Sequence, residues 1–135
     1  MIIAVMDGQG GGIGTAIIKN LREVVSEDME ILALGTNSIA TSRMMKAGAN
    51  KGASGENAIV YNCPKADLII GPLAILMPNA MMGELTTRMA EAVSSSSAMK
   101  ILIPLTQERV KIAGISNEPL PHLVRRAIEM IKEMK

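Results

Sequence analysis

Residues 2–14 of the chain are Ile2-Ile3-Ala4-Val5-Met6-Asp7-Gly8-Gln9-Gly10-Gly11-Gly12-Ile13-Gly14. This stretch passes from an apolar run into a segment with five glycines, after which Ile17, Leu21 and Val24 continue at helical spacing. Glycine has no Cβ to block a close approach, and the first amides of a helix attract anions. The stretch therefore predicts a strand, a glycine loop and a helix, with a ligand site at the loop.

Continuous apolar runs outside this stretch predict the rest of a parallel sheet. Such runs are typical of strands covered on both faces, and the predicted strands are residues 2–6, 30–34, 67–70 and 100–103. Helical spacing predicts crossover helices between these strands and a final helix near residues 120–134. The second helix should start after Thr36 or Asn37, whose side chains can cap it, and stop near Gly48. The fourth should carry Met82, Leu85, Met89 and Val93 on one face. The small, polar segment 48–57 is expected to be a loop, which either folds over a ligand with contacts from Lys51, Glu56 and Asn57 or serves as a solvated connector.

The last strand-like run departs from this alternation. Only five residues separate Pro104 from the run at residues 110–115, which is too short for a parallel crossover but enough for a hairpin. We therefore expect an antiparallel strand at the C-terminal edge of the sheet. The predicted fold class is α/β: a three-layer Rossmann-like sandwich of four parallel strands plus that edge strand, in a single domain spanning residues 1–135.

Composition narrows the classes of partner. The 135 residues are 48% hydrophobic with a formal net charge of +1, and Tyr61 is the only aromatic residue, so nucleic acid is not an expected partner. No apolar run approaches the roughly 18 residues that cross a bilayer, so we expect a cytoplasmic protein. Cys63 and His122 are each the only residue of their type, which argues against a disulfide or a Cys/His metal site.

The glycine loop resembles the cofactor loop of short-chain dehydrogenases through Gly8, Gly12 and Gly14, which form G-x-x-x-G-x-G. The resemblance implies a nucleotide cofactor such as NADP(H). A classical dinucleotide site also has an acidic residue about 20 residues further on, to bind the ribose. This chain has Thr36, Asn37 and Ser38 there instead, which could contact a ribose, and Arg43 or Lys46 could reach a phosphate on it.

Asp7 stands at the mouth of the loop, where these dehydrogenases carry a small neutral residue. Its carboxylate would repel a phosphate, yet it could bind a sugar hydroxyl or hold Mg²⁺ against a phosphate. An ordinary Asp-Gly turn explains the residue equally well. All three interpretations stay open at this point.

Tyr61 and Lys65 match the Y-x-x-x-K pair with which such dehydrogenases transfer protons. Pro64 between them disrupts the helical geometry that the pair needs, and the pair lies too early in the chain. We therefore interpret the match as coincidence and assign no catalytic residue.

A candidate ligand site follows from the strand ends, because open α/β sheets bind ligands beyond the carboxyl ends of their strands. The candidate binding residues are Asp7, Gly8, Gly10, Gly11, Gly12, Ile13, Gly14, Thr36, Asn37, Gly71 and Pro72. The following apolar segment, residues 73–82, exceeds what a small domain is expected to bury. We expect it to contribute to a homodimer interface.

The chain also resembles, nearly end to end, an uncharacterised bacterial family of short proteins classed as a domain of unknown function. Segments that carry the resemblance are residues 7–14, 33–37, 46–50, 55–62, 69–72, 83–86 and 118–123. The resemblance implies a Rossmann-like fold and no established activity. Two hypotheses follow: a nucleotide- or dinucleotide-binding protein without an assigned reaction, or a noncatalytic homo-oligomeric protein that serves interaction or regulation.

Overall fold

The computed structural model describes residues 1–105 and 108–134, which form a parallel β-sheet with helices on both faces. Its strands are β1 (Ile2–Asp7), β2 (Glu30–Gly35), β3 (Lys51–Ser54), β4 (Leu68–Pro72) and β5 (Met99–Ile103). Its α-helices are α1 (Gly12–Leu21), α2 (Ser38–Ala47), α3 (Glu56–Asn62), α4 (Thr87–Ser95) and α5 (Leu120–Glu133). Two short 3₁₀ helices, Cys63–Lys65 and Leu73–Leu76, flank β4.

The strands lie in the order β3-β2-β1-β4-β5, and every neighbouring pair is parallel. This is the order of a Rossmann-type sheet. The strand β1 is central, with Val5 level with Ala33 of β2 on one side and Ile70 of β4 on the other. Because the chain moves outward from β1 first in one direction and then in the other, a crevice opens between the carboxyl ends of β1 and β4.

Alternate residues of the central strands enter two separate cores. Ile3 and Val5 of β1 belong to the core covered by α1, α2 and α5, whereas Ala4 and Met6 belong to the core covered by α3 and α4. All four are fully buried. Burial on both faces explains why the strand sequences are apolar without alternation.

The predicted helix boundaries are confirmed where capping residues define them. The side chain of Asn37 accepts a hydrogen bond from the amide of Ala40 at 2.8 Å and so caps α2. Gly48 ends that helix with φ 126°, a value that glycine tolerates. The fourth helix is shorter than the spacing of Met82 and Leu85 indicated, because α4 begins only at Thr87.

The predicted antiparallel edge strand is wrong. Residues 110–115 form no strand, and within residues 1–105 and 108–134 the strand β5 pairs only with β4 and is the last strand of an all-parallel sheet. Val110, Ile112 and Ile115 are each at least 40% exposed, and Gly114 turns the backbone with φ 84°. The short apolar run therefore lacks the buried face that would stabilise strand pairing.

The number of parallel strands was also wrong, since β3 lies within the segment that was expected to be a loop. Its residues pair with β2, with Ala33 level with Gly52. A Cβ at Gly52 would lie 2.8 Å from the sulfur of Met45, so α2 covers this strand closely. Small residues here permit that packing, although they give no apolar signal in the sequence.

Candidate functional site

A pocket opens at the carboxyl ends of β1 and β4, in the crevice that the strand order creates. Its volume is about 490 Å³, which lies within the usual range of roughly 300–1,000 Å³ for small-molecule sites. The described residues that line it are Asp7, Gln9, Ile13, Pro72, Ala74, Met81, Met82, Leu105 and Glu108. Most of these side chains are apolar, and the polar exceptions are two acids and one amide.

Asp7 ends β1 with its carboxylate turned toward the glycine loop. Its Oδ1 accepts a hydrogen bond from the amide of Gly8 at 2.8 Å, and its Oδ2 accepts one from the amide of Gly14 at 2.7 Å. The second bond joins the strand to the first turn of α1. An internal carboxylate therefore already occupies part of the helix N-terminus that would attract a phosphate.

Burial and hydrogen bonding act on Asp7 in opposite directions. The residue is 4% exposed, and this burial raises the pKa of its carboxyl group above the ordinary value. Hydrogen bonds from the amides of Gly14, Gly8 and Ile13 lower the pKa, while the negative charge of Glu84 raises it further. The net direction is upward, so burial outweighs the favourable bonds.

Glu84 forms a second carboxylate contact with the glycine loop, from the opposite side. One oxygen, Oε1, accepts hydrogen bonds from the amide of Gln9 at 2.7 Å and from Nδ2 of Asn37 at 2.6 Å. The hydroxyl of Thr36 donates to the same oxygen. We call this group of donors the Glu84 corner: the amide of Gln9 and the side chains of Thr36 and Asn37.

These three donors determine the protonation of Glu84. Partial burial acts to raise the pKa of Glu84, but the hydrogen bonds from Thr36, Gln9 and Asn37 outweigh it and leave the pKa lowered. Glu84 is therefore held as a carboxylate. The corner thus already binds a negative charge.

Further contacts hold the loop in place. Nη1 of Arg43 donates to the carbonyl of Gly10 at 3.0 Å, and Nδ2 of Asn37 also donates to the carbonyl of Gln9 at 3.0 Å. A Cβ at Gly8 would lie 2.4 Å from the hydroxyl oxygen of Thr36. Glycine at this position is what allows the Thr36 side chain to approach the loop.

The structure divides the predicted site residues into two groups. Asp7, Ile13 and Pro72 line the pocket. Thr36 and Asn37 face Glu84 instead, and the remaining predicted glycines are not among the pocket's lining residues. Gly71 packs against β1, since a Cβ at this position would lie 2.3 Å from the carbonyl oxygen of Met6.

Sequence reasoning missed Gln9, Met81, Glu84 and Glu108 as residues of this region. Glu108 accepts a hydrogen bond from the amide of Met81 at 2.7 Å, which brings two distant loops together at the pocket. A carboxylate within an apolar segment is the one signal that could have suggested Glu84. For Glu108 the sequence offers no comparable signal.

The Tyr61 and Lys65 pair lies apart from this site, at the junction of α3 with the following 3₁₀ helix. The Lys65 ammonium is 3.5 Å from the centre of the Tyr61 ring, and neither residue lines the pocket. Across residues 1–105 and 108–134, no group of three His, Cys, Asp or Glu side chains could hold a metal ion.

The family model for a domain of unknown function, DUF3842, matches residues 2–135. The chain belongs to this family. No curated protein matches this chain. Among solved structures, the DUF3842 chain is similar to the dodecameric FMN-dependent Ubix-like decarboxylase from Escherichia coli O157:H7, with a TM-score of 0.47 and 17% sequence identity. The alignment covers 98% of this chain and 75% of the decarboxylase chain.

The DUF3842 match supports the resemblance inferred from the glycine loop and the strand-end segments, and it brings no activity. None of the described helices has the length and apolar composition needed to cross a membrane.

Proposed function

We propose that this DUF3842 protein binds a nucleotide-type small molecule at the carboxyl ends of β1 and β4. The observation that carries the proposal is the 490 Å³ pocket at this crevice, with the buried Asp7 in its wall. Parallel α/β sheets bind ligands at such a point because loops from both halves of the sheet meet there. The proposed binding residues are those of the glycine loop, Asp7, Thr36, Asn37, Gly71 and Pro72.

The lining of the pocket suits the uncharged part of such a ligand. Ile13, Pro72 and Met81 provide apolar surface for a flat ring, and methionine adapts readily to its shape. Asp7 and Glu108 can accept hydrogen bonds from amino or hydroxyl groups. No lysine or arginine is among the described lining residues, so the nucleoside part fits this pocket better than a phosphate does.

We assign binding and no reaction to this pocket. Asp7 already accepts two backbone hydrogen bonds, and Glu108 accepts one from Met81. Such contacts position carboxylates as binding groups. They do not by themselves constitute a nucleophile with its base.

Thermal unfolding with a set of ligands tests the proposal. The set contains adenosine, guanosine, ATP, GTP, NAD(H), NADP(H), flavins and S-adenosylmethionine, each with and without Mg²⁺. A ligand present at about 100 times its dissociation constant should stabilise the fold by roughly 2.7 kcal/mol and raise the unfolding midpoint. The proposal fails if no member of the set raises the midpoint.

Two variants locate the binding. Glu108→Gln removes a lining charge from a partly exposed side chain and should weaken the response to the ligand. Asp67→Asn is the matched control, because Asp67 accepts the amide of Ile2 at the opposite end of β1. Equal responses in both variants would place the ligand elsewhere.

One observation favours the second hypothesis, a homo-oligomeric interaction protein. Met82 is 98% exposed, whereas Ile75 and Ala80 of the same predicted interface segment are buried in the chain itself. Methionine is flexible and polarizable, which suits this side chain to contact a second copy. Light scattering should then show a dimer that Met82→Ser weakens, and a monomer at high concentration would exclude this function.

A further inference from the structure

The Glu84 corner has the composition of an anion-binding subsite whose occupant is part of the chain. Its three donors come from the glycine loop and from the end of β2, and they converge on one carboxylate oxygen. A phosphate oxygen accepts hydrogen bonds from the same kinds of group. Because Thr36 and Asn37 follow β2 directly, the donors also lie where Rossmann-type sheets bind the ribose and its phosphate.

The surroundings of the corner add positive charge and a closely approaching backbone. The guanidinium of Arg43 lies at the edge of the loop, 3.0 Å from the carbonyl of Gly10. Gly8 contributes no Cβ beneath the corner, where such an atom would be 3.0 Å from Oε1 of Glu84. Gln9 belongs to both regions, since its amide faces the corner and the residue lines the pocket.

The loop that carries Glu84 has an unusual backbone. Asn79, Met81 and Met82 have φ values of 69°, 58° and 58°, a conformation that side chains with a Cβ rarely adopt. Such strain persists only where surrounding contacts maintain it. Two contacts maintain it here. The Glu84 carboxylate accepts hydrogen bonds from the corner, and the Met81 amide donates one to Glu108.

We propose that the Glu84 corner binds a phosphate group of the ligand, and that Glu84 occupies this subsite until the ligand displaces it. The inference rests on the proposed function for the remainder of the ligand, which would lie in the adjoining pocket. Displacement replaces a single carboxylate by a phosphate of higher charge on the same three donors, with Arg43 at the edge. Glu84 thereby sets how tightly phosphate-bearing ligands bind.

Inorganic phosphate tests the corner without requiring the pocket. We compare the wild-type chain with Glu84→Ala and Glu84→Gln, following backbone and side-chain amide signals by NMR as phosphate is added. Glu84→Ala should bind phosphate at least about tenfold more tightly than the wild type, a difference of roughly 1.4 kcal/mol. The largest shifts should fall on the Gln9 amide and the Asn37 side chain.

Matched variants separate the corner from general charge effects. Glu91→Ala removes an exposed acid from α4 and should leave phosphate binding at the wild-type level. Thr36→Val, added to Glu84→Ala, should abolish the gain because it removes one donor. Glu84→Gln keeps the shape of the side chain, so it should fold and show a smaller gain even if Glu84→Ala does not fold.

The inference is overturned if the folded Glu84 variants bind phosphate no more tightly than the wild type, or if the shifts map away from the corner. Nucleosides without phosphate report on the pocket alone. A positive nucleoside response with no phosphate gain would retain the proposed function and reject the inference. Tighter phosphate binding by the Glu84 variants, without a response to any nucleoside or nucleotide, would retain the phosphate subsite and reject the proposed function.

Discussion

The carboxylate of Asp7 accepts a hydrogen bond from the amide of Gly14 at 2.7 Å, which joins the end of β1 to the first turn of α1. The two residues enclose the whole glycine loop. A loop that resembles a phosphate cradle is therefore closed from within by an acidic side chain. This contact explains why Asp7 stands where a neutral residue would leave the helix amides to a ligand.

Replacing Asp7 should reveal the strength of this closure. In Asp7→Asn the side-chain NH₂ cannot accept a hydrogen bond, so either the Gly8 or the Gly14 amide loses its partner inside the protein. A buried unsatisfied group costs about 1–3 kcal/mol, and we expect the free energy of unfolding to fall by that amount. Urea denaturation measures it. Asp67→Asn affects a more exposed contact and should lower the free energy of unfolding by less. An equal loss in the two variants would contradict the stabilising role of the bond between Asp7 and Gly14.

Acid should weaken the contact between Glu84 and its corner. The pKa of Glu84 is lower in the folded protein than its ordinary value of 4.5. Glu84 therefore stabilises the fold above the unfolded pKa, and this contribution is lost as pH falls through the folded value. The stability difference between wild type and Glu84→Gln should shrink from about pH 6 to about pH 3.

Urea denaturation at a series of pH values measures this difference. Comparison with the Gln variant is essential because Asp7 has a raised pKa, and its contribution changes with pH in the opposite sense. A difference that grows on acidification would contradict the assignment.

Gly71 and Gly12 should respond oppositely to alanine. A Cβ at Gly71 would lie 2.3 Å from the carbonyl oxygen of Met6, so Gly71→Ala must separate β4 from β1. We expect the free energy of unfolding to fall by about 2 kcal/mol or more, because overpacking a core has a cost of this size. At Gly12 nothing lies within 4 Å of the added atom, and alanine favours helix, so stability should stay equal or rise by up to about 1 kcal/mol. Thermal unfolding of both variants makes the comparison.

Lys65 should control the titration of Tyr61, the only tyrosine in a chain without tryptophan. A hydrogen bond with Lys65, followed by the charge of Lys65, lowers the pKa of Tyr61 from its usual 10.0. Lys65→Met should move the tyrosinate absorbance titration upward toward that value. Arg88→Met, on α4, is a control that should leave it in place. No upward shift in Lys65→Met would show that the two side chains do not interact.

The parallel core was predictable because its sequence signals are local and strong. Four of the five strands are continuous apolar runs, and Asn37 and Gly48 mark the two ends of α2. The strand β3 had no such signal, since Lys51, Gly52 and Ser54 gain their extended conformation from pairing with β2. The run at residues 110–115 has the apolar sequence of a strand, but its apolar side chains stay exposed and the run forms no strand.

The candidate site was predictable in position and only partly in composition. Asp7 and Pro72 end β1 and β4, which are neighbours in the sheet, and Ile13 lies in the first turn of α1. All three line the same pocket, as expected for groups at the carboxyl ends of parallel strands. Glu84 and Glu108 reach the same region from loops distant in the chain. No periodicity or motif specifies such contacts.

The sequence by itself determined four of the five parallel strands and indicated the edge of the sheet at which we propose that a ligand binds, because apolar runs and glycine act over a few residues. Only the tertiary structure decided the orientation of the carboxylates. Asp7 faces the glycine amides and Glu84 faces Thr36 and Asn37 because buried or partly buried charges must find donors nearby, wherever in the chain those donors originate.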